Sequence, residues 1–263
     1  MKGLTLESVR DYINTSDLGY TAKLIDVTKP NKNITGLQVY VTNVEDTCVI
    51  PIFYEDILSD AKDCDEVFCR ILSIMDGQNP ASSVSFETLM ENLHQVSFRV
   101  VKFEGNESIV KQYVGRKFLD LYVYYHIPVI ENGSVSVKWE HLDVLSVTEE
   151  DLYDMAITNL EDNKSFLPMF PMMVLSTENH MHGAAQILNT KWLDEIASTL
   201  DDDLVILPAS IHEVIALPYN PVKEMGKDLY QMVKTVNATY VDETDVLNDH
   251  PYRYHRDTKQ VAY

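Results

Sequence analysis

Ser210, His212 and Glu213 come nearest, by type and spacing, to a reaction centre in this chain. A hydroxyl, an imidazole and a carboxylate within four positions are the ingredients of nucleophilic hydrolysis, in which a base takes the proton of an attacking serine. His212-Glu213 also opens like the zinc signature His-Glu-x-x-His, which needs a helix to bring both imidazoles to one face. Here the fifth position is Ala216 and the local pattern is that of a strand, so the zinc-protease reading fails twice. No Gly-x-Ser-x-Gly elbow frames Ser210 either. The expectation for Ser210, His212 and Glu213 is therefore structural: their polar groups satisfy a tight loop between buried strands. A hydrolase centred on them stays open as an alternative.

His180 and His182 could present two imidazoles on the same side of an extended segment, with Asp or Glu completing a metal site. Set between Asn179 and Gly183, they read instead as two exposed turn histidines. No metal and no cofactor is expected. The chain holds nine glycines, and none falls in a phosphate-binding or dinucleotide pattern.

The elements that must position these residues are legible in DLVILPASIHEVIALPY, residues 203–219. Two β-branched apolar runs, 204–207 and 214–217, flank the polar insert, so an antiparallel strand pair, 204–207 and 212–217, is expected at the centre of a sheet, covered by a helix at 190–200. Upstream, 172–178 and 183–189 read as two more strands, and a helix from about Pro221 buries Met225, Leu229, Met232, Val233 and Val236. PYRYHRDTKQVAY at the end reads as a hairpin. This gives a ββαββα unit over 172–263 with a terminal hairpin.

Residues 1–160 read as a sheet-and-helix unit. A short amphipathic helix opens it, and alternating strands follow at 20–29, 35–43 and 47–53. A long helix runs from about Tyr54 to a stop at Asp76-Gly77-Gln78-Asn79-Pro80, and a second covers 82–95. Strands at 96–103 and 117–130 come next, with Asn132-Gly133 as a hairpin turn into 134–147. Thr148-Glu-Glu-Asp151 reads as the cap of a helix. Residues 159–171 combine charge, proline and no periodicity, and are the expected boundary. The fold class expected is α+β, with largely antiparallel sheets, covering helices and two closely packed sub-domains.

Lys and Arg number 21 against 41 Asp and Glu, a net charge of −20, with −7 in residues 1–115 and −13 beyond. No basic stripe is available to neutralise phosphates, so direct nucleic-acid binding is not expected. No apolar run approaches the ~20 residues of a membrane span, and the N-terminus lacks the apolar core of a signal peptide. The three cysteines, Cys48, Cys64 and Cys69, fit no metal knuckle and read as small buried hydrophobes. A cytoplasmic location is expected.

MMVLSTENHMHGAAQILN, DLVILPASIHEVIALPY and VNATYVDETDVLNDHPYRYHRDT resemble a domain-of-unknown-function family of gut Firmicutes, and more distantly the YtpQ-type proteins of that phylum. GRKFLDLYVYYHI and EEDLYDMA extend the resemblance over most of the chain. It singles out Gly183, Ala184, Pro208, Ser210, His212, Glu213, Asp249 and Tyr252 and implies a bacterial cytosolic protein. It leaves the chemistry open. Tyrosines at 122, 124 and 125 with His126, and at 252 and 254 with His255, are side chains of the kind enriched at interfaces.

The expected function is a non-enzymatic, cytosolic interaction protein that binds another macromolecule, a protein partner, through an acidic surface. The alternative from the same charge is an acidic nucleic-acid mimic that inhibits a nuclease or another nucleic-acid-binding protein, an anti-defence or mobile-element role. A mimic gathers its carboxylates on one face, with the aspartates at 201–203 and the acidic cluster at 149–151 as the natural tracts.

Overall fold

A computed structural model describes residues 4–42, 52–77, 86–130, 133–169, 171–224 and 228–263. The chain divides into two units: residues 1–29 with 33–91, and residues 30–32 with 92–263. The expected boundary at 159–171 does not coincide with this division, since that stretch runs inside the second unit.

In the first unit, α1 (Leu6–Thr15) starts where Thr5 and Ser8 cap each other's backbone N–H groups. The alternating segments form β1 (Tyr20–Lys29) and β2 (Lys32–Val41), joined by β3 (Ile52–Phe53) in a three-stranded sheet. The long helix expected from Tyr54 is interrupted. A 3-10 turn at Glu55–Leu58 comes first, and α2 (Cys64–Gly77) starts afresh behind it, with Asp65 and Glu66 in its first turn. Leu6, Val9 and Ile13 of α1, Leu37 and Val39 of β2, and Val67, Phe68 and Ile71 of α2 share one core. Cys69 is exposed rather than buried, and Cys48 and residues 78–80 of the expected helix stop lie outside the described residues. The second expected helix is α3 (Phe86–Asn92).

The second unit carries two antiparallel sheets. In the first, β4 (Ser97–Lys102) pairs with one edge of the long central strand. Residues 117–130, expected as one strand, are two: β5 (Gly115–Phe118) turns at Leu119, which adopts a positive φ, and returns as β6 (Leu121–Ile130). A helix, α4 (Glu107–Gln112), links β4 to β5. Asn132 lies outside the described residues, but β7 (Gly133–Ser136) pairs antiparallel with β6 as a hairpin requires. The expected strand at 134–147 stops there, because Trp139–Leu145 is a helix, α5. Next comes α6 (Glu149–Asp162), with Thr148 and Asp151 in the expected capping box.

The second sheet has six strands in the order β13-β12-β10-β11-β9-β8. The stretch read as a boundary supplies its outer strand, β8 (Ser165–Met169), which returns as β9 (Met172–Ser176). Residues 183–189, expected as a strand, form a wholly buried 3-10 turn, Gly183–Leu188. Small Gly183, Ala184 and Ala185 let this tight turn pack where a strand would need larger side chains. After α7 (Thr190–Leu200), β10 (Leu204–Ser210) and β11 (Glu213–Pro218) pair antiparallel at the centre of the sheet, as expected. Val205 and Leu207 face α8 (Tyr219–Glu224) and α9 (Leu229–Tyr240), whose Val222 and Val233 close one core. The helix expected from Pro221 is thus two, and Met225 lies outside the described residues. On the opposite face, α7 meets the sheet through Asp194, which accepts from the Tyr254 hydroxyl at 3.1 Å. The terminal hairpin is β12 (Tyr252–His255) and β13 (Gln260–Ala262). Antiparallel sheets with covering helices make this an α+β protein.

Candidate functional site

The insert at 209–212 is the turn between the two central strands, and the pairing register slips between Pro208 and Ser210. Ser210 Oγ accepts from the backbone N–H of His212 at 3.0 Å, not from the imidazole. His212 Nδ1 accepts the backbone N–H of His182 at 3.1 Å, which leaves the proton of the neutral ring on Nε2, facing Asp245 Oδ1 at 3.7 Å. The His212 carbonyl accepts from Ser176 Oγ at 2.8 Å. Ile211 donates its N–H to the Asp245 carbonyl and accepts from Ala184 N–H. Glu213 opens β11, opposite Ser210. Apart from the Ser210–His212 bond within the turn, these bonds tie the insert to the 176–184 segment or to Asp245, so the arrangement holds a loop, and the His212 imidazole is engaged away from Ser210.

Gly183 sits in the middle of this knot. A Cβ there would come within 2.2 Å of Ser176 Oγ and 2.5 Å of the His212 carbonyl, so only glycine fits.

His180 and His182 are not on an extended segment. Both have φ of 56°, the left-handed region, so the chain turns at each. His182 lies beside His212, with ring centroids 5.4 Å apart, and beside His126, at 5.7 Å. The structure thus joins one of the two expected histidines to His212 and adds His126, which the sequence offered only among interface aromatics. Among the described residues, no group of three or more His, Cys, Asp or Glu side chains is placed to hold a metal ion.

His126 and His182 open onto a cleft of about 720 Å³. Cross-strand register puts Ser97, opposite His126, and Arg99, opposite Tyr124, on the same face of the β4–β6 pair. Asn159 and Asp162 of α6 and the turn bearing Asn179 and Met181 supply other walls. Arg99 Nη2 donates to Ser134 Oγ at 2.8 Å, and Ser97 Oγ lies 3.4 Å from His126 Nε2. Arg99 Nε and His126 Nδ1 are buried without a hydrogen-bond partner. Burial first, then the charges of Arg99 and His182, holds the His126 imidazole well below the usual histidine range. Arg99 carried no sequence signal, because a single arginine in an alternating strand reads as a solvent-facing residue.

Two further polar groups brace the fold. Asp120 accepts from His250 Nε2 at 2.6 Å, Asn248 Nδ2 at 2.7 Å and the Tyr252 hydroxyl at 2.9 Å. Burial pushes its carboxyl up, but those three hydrogen bonds outweigh burial and leave it below the ordinary value. Asp249 accepts from Asn237 Nδ2 at 2.9 Å, so Asp249 and Tyr252 both tie the segment before β12 to its neighbours.

The two acidic tracts carry internal pairings, although Glu150, Asp151 and Asp201 remain exposed. Glu149 takes Arg116 through both oxygens, at 2.7 and 2.6 Å, and also the Tyr125 hydroxyl, while Glu150 meets the same guanidinium at 2.7 Å. Asp151 accepts the N–H of Thr148. Asp201 pairs with Arg256 at 2.8 Å, Asp202 holds Asn220, and Asp203 takes Arg253 at 2.7 Å.

The outer strand β8 differs from the rest of its sheet. Phe166 and Leu167 are each 58% exposed and Met169 is 50% exposed. Phe166 borders a small groove shared with Met173 of β9 and Trp192, Ile196 and Leu200 of α7.

Antiparallel sheets with covering helices, and polar residues that chiefly fasten turns, define an α+β protein with a polar cleft and an apolar sheet edge. Among the described residues no helix is long and apolar enough to cross a membrane. The chain belongs to a family of unknown function, DUF5688, whose model matches it over residues 5–170 and 160–256. No curated protein and no solved structure matches it.

Proposed function

We propose that this is a non-enzymatic, cytoplasmic interaction protein that holds a basic, apolar segment of a partner protein. The observation that carries the reading is the exposure of Phe166, Leu167 and Met169 on the outer strand of the six-stranded sheet. Large apolar side chains grouped on a surface mark contact sites. Pro168 lacks the N–H that would extend the ladder, so the partner docks against side chains and adds no strand. The net charge of −20 favours a cationic partner and speeds its approach.

Pairing of Glu149 with Arg116 and of Asp203 with Arg253 ties up part of the two acidic tracts, which favours this reading over the nucleic-acid mimic, whose acids must be free to meet a basic partner. The hydrogen bonds of Ser210 and His212 weigh against the hydrolase. The test is affinity capture from native lysate with the wild type beside a Phe166→Ser/Leu167→Ser variant. The expected outcome is a discrete protein partner retained by the first and lost by the second. Equal capture by both, or capture of nucleic-acid-binding proteins lost only on neutralising surface acids, would overturn the reading.

A further inference from the structure

Each of five arginines has a carboxylate partner: Arg10 with Asp11, Arg70 with Glu66, Arg116 with Glu149, Arg253 with Asp203 and Arg256 with Asp201, all at 2.6–2.8 Å. Arg99, the sixth, has none among the described residues, although acids outnumber bases 41 to 21 in the chain. It lies in the cleft with His94, His126 and His182, where Asp162 is the one acidic side chain among the described lining residues. A guanidinium left without a carboxylate partner attracts an anion.

We propose that this cleft binds a small organic anion, its carboxylate or phosphate against Arg99, His126 and His182 and its apolar part against Pro128 and Met181. A volume of about 720 Å³ lies within the range of small-molecule sites and exceeds what a bare inorganic ion needs. A guanidinium matches the two oxygens of a carboxylate or phosphate, and part of that fork is already fixed by the Arg99–Ser134 bond. The buried, unpaired Arg99 Nε and His126 Nδ1 fit the same assignment, because a wall built only for packing does not leave two such groups unused. The knot at Ser210 and His212 acquires a purpose here: it fixes the backbone of His182 and so sets the far wall.

Anion binding is linked to protons. Ser97 and Arg99 from β4 and His182 from the turn after β9 surround His126, and His94 from the turn before β4 and Asp162 from α6 line the same cleft. An incoming negative charge offsets the burial and positive neighbours that keep His126 neutral, so its pKa rises on binding and affinity increases as pH falls.

The probes are phenyl phosphate and phenylacetate, titrated calorimetrically into the full chain at about pH 6 and about pH 8, either side of the ordinary histidine value. The expected result is saturable one-to-one binding of at least one probe, tighter at the lower pH, with an imidazole resonance of His126 shifting towards the protonated form. The tighter probe identifies the anionic group. Arg99→Gln should weaken it about ten-fold or more, the effect of one lost charge-assisted contact. If that variant does not fold, His182→Asn, which tolerates the left-handed backbone, should show a loss of the same sign. No saturable binding of either probe, or unchanged affinity in the folded variants, would overturn the assignment.

Discussion

The backbone N–H of His182 donates to Nδ1 of His212 at 3.1 Å, across thirty positions of sequence. One side chain in the turn between the central strands thereby fixes a turn that walls the cleft. His212→Ala should leave that N–H without its acceptor and lower stability by about 1–3 kcal/mol, measured by denaturant unfolding. A melting temperature equal to or above wild type would argue that the ring is held under strain for some other purpose.

Gly183→Ala should cost more than an ordinary small-to-large change, which runs about 1–3 kcal/mol, because the Cβ meets a backbone carbonyl that cannot turn aside. A loss below about 0.5 kcal/mol would mean that the 176–184 segment shifts freely and that the knot is loose.

Ile206 is fully buried in β10, whereas Ile215 is only partly buried against the α8–α9 core. Ile206→Ala should cost about 2–5 kcal/mol and Ile215→Ala clearly less. Equal losses would contradict the burial pattern.

Asp120 sets part of the acid limit. Its carboxyl is held below the ordinary value, so its contribution is present above the unfolded value of about 3.9 and is lost as pH falls through the folded one. Asp120→Asn should therefore melt below wild type at neutral pH, and the gap should narrow in acid. A gap that widens in acid would reverse the assignment.

Antiparallel α+β architecture was legible because periodicity reports burial, and the central pair 204–207 and 212–217 reads as strands on that ground alone. The sequence misled where one apolar run hides a turn. Leu119 breaks 117–130 by adopting a positive φ that leucine rarely takes, and GAAQILN looks like a strand although its small residues fill a 3-10 turn. The stretch 159–171 shows no periodicity because β8 is an outer strand with apolar residues on both faces. The insert was legible as a place, since proline and polarity punctuate it. Its neighbours were not: Arg99, His126 and Ser176 meet it or the cleft only through tertiary pairing.

Charge reversal at Glu149 or Asp203 should destabilise the fold through the loss of Arg116 or Arg253 pairing rather than weaken partner capture by the molecules that remain folded. Partner capture itself should fall moderately with salt, as steering does. Loss of capture without loss of stability in either variant would restore the mimic.

Amide hydrogen exchange of the isolated complex against the free protein tests the central claim most directly. Contact at the sheet edge predicts slowed exchange in residues 165–169 and in α7 at 190–200, with the 204–218 pair already protected in both states. Slowed exchange confined to other surfaces, with 165–169 unchanged, would contradict the account.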